Sequence, residues 1–232
     1  MRLTRVQISN FKAIQYLLVE NLGEVVVLAG PNGCGKSSIF DAIRLWKSAH
    51  GGYQQNEVQH WLNEFQLNIG DAGLLKVMGD RTQPMSIVID VELADNEKIW
   101  LTENAENLIR LSVWRRVAPN SVGGWRSFGG SALAEDLRVH EPIVQAQVQR
   151  DLPILLHELN KSAHRGTLIL QPNANISINT DLVLTNLFST YEPQELGVID
   201  YHGPQRNYNR EQVGGINLNI QGADEQKSSC SV

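Results

Sequence analysis

Gly30-Pro31-Asn32-Gly33-Cys34-Gly35-Lys36-Ser37 decides the reading of this chain. The stretch fits G-x-x-x-x-G-K-[ST] at every fixed position, the pattern of a loop that cradles phosphate. Its flanks suit that role. Residues 24–29 (EVVVLA) form a short apolar run of the kind a buried strand requires, and residues 37–47 (SSIFDAIRLWK) have the period of an amphipathic helix. Strand, glycine-rich loop and helix is the order in which backbone N–H groups converge on one anion. Glycine permits the tight curl. The start of the helix adds the positive end of its dipole. On this reading Asn32, Gly33, Cys34, Gly35, Lys36, Ser37 and Ser38 surround the phosphates of ATP. Lys36 places a mobile charge on the β- and γ-phosphates, and the Ser37 hydroxyl is a protein ligand of Mg²⁺, a cation that prefers oxygen. Cys34 is read as a small filler at a variable position rather than a reactive thiol.

Composition sets the outer limits. The chain has 232 residues, 42% hydrophobic and 19% charged, with a formal net charge of -5. That is a globular composition, long enough for one large or two small domains. The acidic balance excludes a surface coated in positive charge, so nucleic acid would be met by a local patch or an assembly. Cys34 and Cys230 are too few and too far apart for a disulfide framework. The N-terminus alternates like a strand and lacks the apolar centre of a signal peptide. No apolar run is long enough to cross a bilayer. A cytoplasmic protein without membrane contact is the expectation.

Working outward, residues 3–11 and 14–20 read as two strands joined by a bend at Asn10-Phe11-Lys12. In the helix after the loop, Ile39, Phe40, Ile43 and Trp46 form one apolar face, and Gly51-Gly52 ends it. Residues 58–67 read as helix, with Trp61, Leu62 and Phe65 on a face. Residues 85–93 (MSIVIDVEL) are a strand with polar residues toward solvent. Residues 99–101 and 108–117 are read as further strands, so the middle of the chain is expected to be an antiparallel sheet built from hairpins. Residues 120–130 are a glycine-rich loop. Residues 142–160 are helical, with Pro153 expected to break or kink the helix. A brief strand at 167–170, a helix at 181–188 capped by Asp181, and a strand at 196–202 follow. The polar end, EQKSSCSV, is expected to fray.

Two segments together give a resemblance. The strand VQISNFKAI just before GPNGCGKSSIFDAI resembles the opening of the ABC-type ATPase heads of the SMC, RecF and OLD (overcoming lysogenization defect) group. Asp200-Tyr201-His202-Gly203-Pro204-Gln205-Arg206 resembles the Q-loop of the same group. The resemblance covers roughly the first fifth of the chain closely. It implies that Lys12 lies near the nucleotide phosphates, whereas on the residues alone Lys12 is equally a surface lysine on a turn. It implies that Gln205 ligates Mg²⁺ and orients the attacking water, and it leaves Arg206 as a phosphate or partner contact or a surface arginine. The implied fold is α/β, a P-loop NTPase of ABC type: a mixed sheet around the phosphate-loop helix, with an antiparallel β-subdomain and a helical insert. The corresponding division is residues 1–53 for the first part of the ATPase lobe, 54–195 for the insert, 196–220 for the Q-loop strand and exit, and 221–232 for the tail.

The chain also departs from that pattern. The interval from Lys36 to Gln205 is long. No LSGGQ-like signature is present, and no late apolar strand ends in paired acids; Asp90 and Glu92 are separated by a valine. The implied activity is ATP hydrolysis by heads that dimerise or oligomerise around ATP, coupled to DNA or to a nuclease effector in repair or defence against phage, with the missing motifs supplied elsewhere. The alternatives are a transporter-type ABC subunit and a nucleotide-binding assembly module without turnover. His50, His60, His140, His157, His164 and His202 are scattered and suggest no metal site. Arg110, Arg115, Arg116 and Arg126 beside Trp114 and Trp125 suggest either a basic strand along a nucleic-acid backbone or a solvated sheet face. Asp41, one helical turn after Ser37, is read as a helix-surface or lobe-packing carboxylate.

Overall fold

The computed structural model describes residues 1–51, 57–64, 67, 74–117 and 130–199. Met1–Ile199 forms one compact unit. Its centre is a five-stranded sheet in the order β2-β1-β3-β4-β5, from β1 (Arg2–Phe11), β2 (Ile14–Glu20), β3 (Met85–Glu92), β4 (His164–Leu170) and β5 (Ile176–Asn179). Every pairing is antiparallel. The sheet draws strands from both sides of residue 53. The middle of the chain supplies β3 between β1 and β4 and a local hairpin, β4 with β5, but not the hairpins expected within residues 85–117.

Alternation explains which face is covered. Val6 and Ile8 of β1, Met85, Ile87, Ile89 and Val91 of β3, and Leu168 and Leu170 of β4 are buried. The register stacks Val6 on Ile89 and Ile8 on Ile87, then Ile87 on Leu168. The opposite face carries Arg5, Gln7, Ser9, Ser86, Thr167 and Arg165 together with the half-buried Val88 and Ile169, so it is mixed but mainly polar. Asp90 lies on that face, buried to 8% exposure, and accepts two hydrogen bonds from the Arg165 guanidinium at 2.6 and 2.7 Å. This pairing raises the Arg165 pKa above its ordinary value.

Helix α1 (Lys36–His50) crosses the covered face, packing on β1, β3 and β4. Trp46 is fully buried and donates from Nε1 to the Gly166 carbonyl at 2.9 Å. A Cβ on Gly166 would meet Trp46 at 2.5 Å and His50 at 2.8 Å, so only glycine lets the helix sit this close. Gly51 follows α1 with its N–H on the Lys47 carbonyl; its need for glycine is the backbone of Phe188, 2.8 Å from where a Cβ would be. The expected apolar face of α1 is partly corrected. Trp46 is buried and Ile39 and Ile43 pack at the margin, but Phe40 is 45% exposed. Asp41, Ala42, Leu45, Lys47, Ser48 and His50 fill the buried side. Burial of neutral His50 pushes its pKa down.

Helix α2 (Glu57–Glu64) packs on α1, with Trp61 and Leu62 buried. The two strands expected within residues 99–117 are instead one helix, α3 (Asp95–Val117). Its buried residues Leu101, Ala105, Leu108, Ile109 and Val113 recur at helical spacing. Glu97, 2% exposed, accepts from the Ala94 N–H at 2.8 Å at the start of α3, from the Met1 amino group, and from the Gly197 N–H. Helix α4 (Gly130–Glu158) lies against α3 and runs unbroken through Pro142 and Pro153. Trp114 meets the His140 ring edge-on while Arg110 reaches Glu141 and Gln145, so the two helices run in opposite directions. Helix α5 (Leu182–Ser189) is capped by Asp181, whose carboxylate accepts the Leu184 N–H at 2.9 Å. Residues 196–199 form no strand, and 120–129 and 200–232 lie outside the described residues.

The other correction concerns residues 24–29. They are not a strand, so the sheet is antiparallel rather than mixed among the described residues. Val25, Val26 and Val27 are 83%, 50% and 82% exposed. A run of β-branched residues suits a strand flanked on both sides. Here no described neighbour pairs with it.

Candidate functional site

Residues 30–35 lead directly into α1. Gly33 and Gly35 have φ values of 82° and 91°, the left-handed region that favours glycine. Gly30 has a φ of 156°, and a Cβ there would lie 2.9 Å from the Cys34 Sγ. Gly35 is the N-cap residue and offers no side chain to cap the helix, and the first turn holds no acidic residue. The first-turn N–H groups of Lys36, Ser37 and Ser38 therefore have no carbonyl ahead of them within the helix. Amides, helix dipole and lysine charge all act in one sense, and nothing negative in the turn opposes them. Asn32, Gly33, Cys34 and Ser37 are exposed, and Lys36 and Ser38 are partly so. The Lys36 ammonium folds back to donate to the Gly30 and Pro31 carbonyls, each at 2.7 Å. These are neutral acceptors that a charged phosphate oxygen outcompetes. The donor set fits a polyphosphate. The Ser37 hydroxyl, at the surface beside it, fits a hydrated Mg²⁺.

The bend between β1 and β2 lies against this loop, with Ile14 at 3.8 Å from a Cβ placed on Gly35. Asn10 and Lys12 are left-handed, with φ of 56° and 50°. The reversal at Asn10 interrupts the alternation of β1 and turns Phe11, fully buried, into the core. Asn10 also clamps the segment before β3. Its amide donates to the carbonyls of Asp80 and Gln83 at 2.6 and 2.8 Å, and its oxygen accepts the Asp80 N–H at 2.6 Å. The Lys12 N–H donates to the Val77 carbonyl at 2.6 Å, and Gly79 packs so close that a Cβ would lie 2.6 Å from the Lys12 carbonyl oxygen. So held, the turn aims Lys12 at α1. Its ammonium donates to the Asp41 carboxylate at 2.8 Å. Arg44 lies 4.0 Å from the same carboxylate and binds Glu64 through two hydrogen bonds, at 3.1 and 2.6 Å. The hydrogen bond from Arg44 holds the Glu64 carboxyl below its ordinary range, against a smaller opposing effect of burial.

Sequence reasoning brought the loop and Lys12 forward but missed Asn10 as a clamp, Gly79 as its seat and Asp41 as the partner of Lys12. Only the tolerance of asparagine for left-handed backbone pointed to the first. Gln205 and Arg206 lie outside the described residues, as do Trp125, Arg126, His202 and Cys230. The arginines read as a basic strand sit on α3. Arg110 is engaged by Glu106, Glu141 and Gln145, and Arg115 donates to the Ser189 carbonyl. Among the histidines, His164 is fully buried with Nδ1 2.7 Å from Asp181. Among the described residues no group of three or more His, Cys, Asp or Glu could hold a metal ion, and no helix is long and apolar enough to cross a membrane.

A family model described as an AAA ATPase domain matches residues 1–227. The chain belongs to the AAA ATPase domain family. The match takes in residues 30–38 and supports ATP-binding ATPase activity in general terms, without assigning a role to any residue. The chain is also similar to the uncharacterized protein MJECL10 of Methanocaldococcus jannaschii, 44% identical over 48 residues. That alignment spans 21% of this chain and 22% of the other protein, so it speaks only for a segment of each.

Proposed function

We propose that this AAA ATPase domain is the nucleotide-binding head of an ATPase of the SMC/RecF/OLD-like group, and that two heads close around ATP. The observation that carries the reading is the glycine-rich loop feeding an uncapped α1 with Lys36 at its first position. The Asn10-Phe11-Lys12 turn favours this group over transporter-type subunits, because it delivers a second cation to the flank of the same helix. Asn32, Gly33, Cys34, Gly35, Lys36, Ser37 and Ser38 hold the phosphates. Ser37 and Gln205 would hold Mg²⁺, which when bound supplies charge neutralisation between the phosphates. Gln205 orients water, and Lys36 stabilises the charge that grows on the γ-phosphate.

The signature motif and paired carboxylates absent from the sequence come, on this reading, from another polypeptide or segment. The exposed Val25, Val26 and Val27 support it: they have the composition of a strand awaiting neighbours. Coupling of head closure to DNA or to a nuclease effector completes the proposal. Lys36→Ala tests its base. It is expected to weaken ATP binding by about tenfold to a hundredfold, the worth of hydrogen bonds from a charged donor. Unchanged affinity by calorimetric titration would remove the hypothesis. A module that binds without turnover is the second reading, favoured by the lack of a late apolar strand ending in paired acids in this sequence. It predicts ATP binding with no phosphate release under any mixture of candidate partners.

A further inference from the structure

The proposed phosphate site has a carboxylate close by that its chemistry does not use. Ser37 and Asp41 are four residues apart on α1, so they share a face and are separated by about 6 Å along the axis. Asp41 is 8% exposed and holds the Lys12 ammonium at 2.8 Å. Its cost of burial is met by two cations, since Arg44 stands 4.0 Å away and is itself fixed on Glu64. Asp41 can therefore release one of them without becoming an isolated buried charge. The backbone of Lys12 is fixed by the Val77 carbonyl and by Gly79, whereas its side chain ends in a charge on a flexible four-carbon stem. A fixed base and a mobile tip suit a group that changes partner. The competing partner would carry several negative charges against the single charge of Asp41, so the Coulombic balance favours the phosphates.

We infer that Asp41 is a positioning residue that stores the Lys12 ammonium while the phosphate loop is empty and yields it to the nucleotide phosphates when the loop fills. The inference rests on the phosphate-site reading and adds a built-in competitor to it. It makes Asp41 a brake on affinity, acting only through Lys12.

Titration calorimetry with ATP, and AMP as the short-phosphate comparison, tests it on four proteins: the unmodified chain, Asp41→Asn, Lys12→Gln and the double variant. Asp41→Asn is expected to bind ATP about two- to fivefold more tightly, the worth of releasing a partly exposed ion pair, with AMP affected less. Lys12→Gln is expected to bind ATP more weakly, and adding Asp41→Asn to it should give no tightening. Equal or weaker binding by a folded Asp41→Asn protein overturns the inference. So does tightening that persists without Lys12, which would reflect bulk charge alone. If Asp41→Asn does not fold, the salt dependence of ATP affinity decides: a shallower slope in Lys12→Gln than in the unmodified chain supports the transfer, and equal slopes overturn it. Failure of the unmodified chain to bind ATP overturns the phosphate-site reading itself, an outcome distinct from binding that ignores Asp41.

Discussion

Two neighbouring stretches of this chain have strand-like sequences and opposite fates. Residues 2–11 alternate, pair on both sides with β2 and β3, and bury Val6, Ile8 and Phe11. Residues 24–29 are at least as apolar, yet they pair with no described strand and leave Val25 and Val27 more than four-fifths exposed. Propensity is therefore not what separates them. A strand is stabilised by its neighbours, and β-branched residues gain little until a partner covers them. The first stretch finds its partners within the described chain, and the second has a composition that fits partners not among the described residues.

Substitutions can sharpen or break that contrast. The largest effect is expected at Phe11→Ala, where a fully buried ring is lost from the paired side: about 3–5 kcal/mol of unfolding free energy by urea titration. A loss under about 1 kcal/mol would mean the turn is not part of the core. Asn10→Ala should cost less, about 1–2 kcal/mol, from a left-handed backbone without its preferred residue and from the lost clamp on Asp80 and Gln83. Asn10→Gly, which removes the clamp and keeps the backbone freedom, should recover part of that. The smallest effect is expected on the unpaired side. Val25→Thr with Val27→Thr should shift the stability of the isolated chain by no more than about 0.5 kcal/mol. A loss as large as that at Phe11 would show that these valines are already packed, and the contrast would fail.

Much of the sheet was legible because its strands follow period two and its register follows burial. β1, β2 and β3 declare themselves by alternation, and α5 by Asp181 ahead of an apolar run. The glycine-rich turn before α1 is legible because glycines and a lysine at fixed offsets mark a loop that opens a helix, and the structure has left-handed Gly33 and Gly35 leading into α1 at Lys36. The misreading of α3 came from two short apolar windows taken separately. Across Leu101, Ala105, Leu108, Ile109 and Val113 the spacing is helical, but it emerges only over more than three turns, and the charged residues between them dilute it. Pro153 suggested a break, yet α4 continues because its packing against α3 can offset one lost backbone hydrogen bond. Asn10, Gly79 and Asp41 were not legible as a set. Their relation depends on segments nearly 70 residues apart meeting at one turn, and no local pattern records that.

Gly166 has a consequence for how the loop-bearing helix can be adjusted. The indole of Trp46 rests on the bare backbone of β4, with no side chain between them. Helix height above the sheet is thus set by the absence of a single methyl group, far along the chain from the glycine-rich loop. Restoring that methyl would act as a wedge under the far end of α1, tilting the helix that begins at Lys36. A change at this remote and chemically silent position could thereby retune the mouth of the loop while every residue lining it stayed the same.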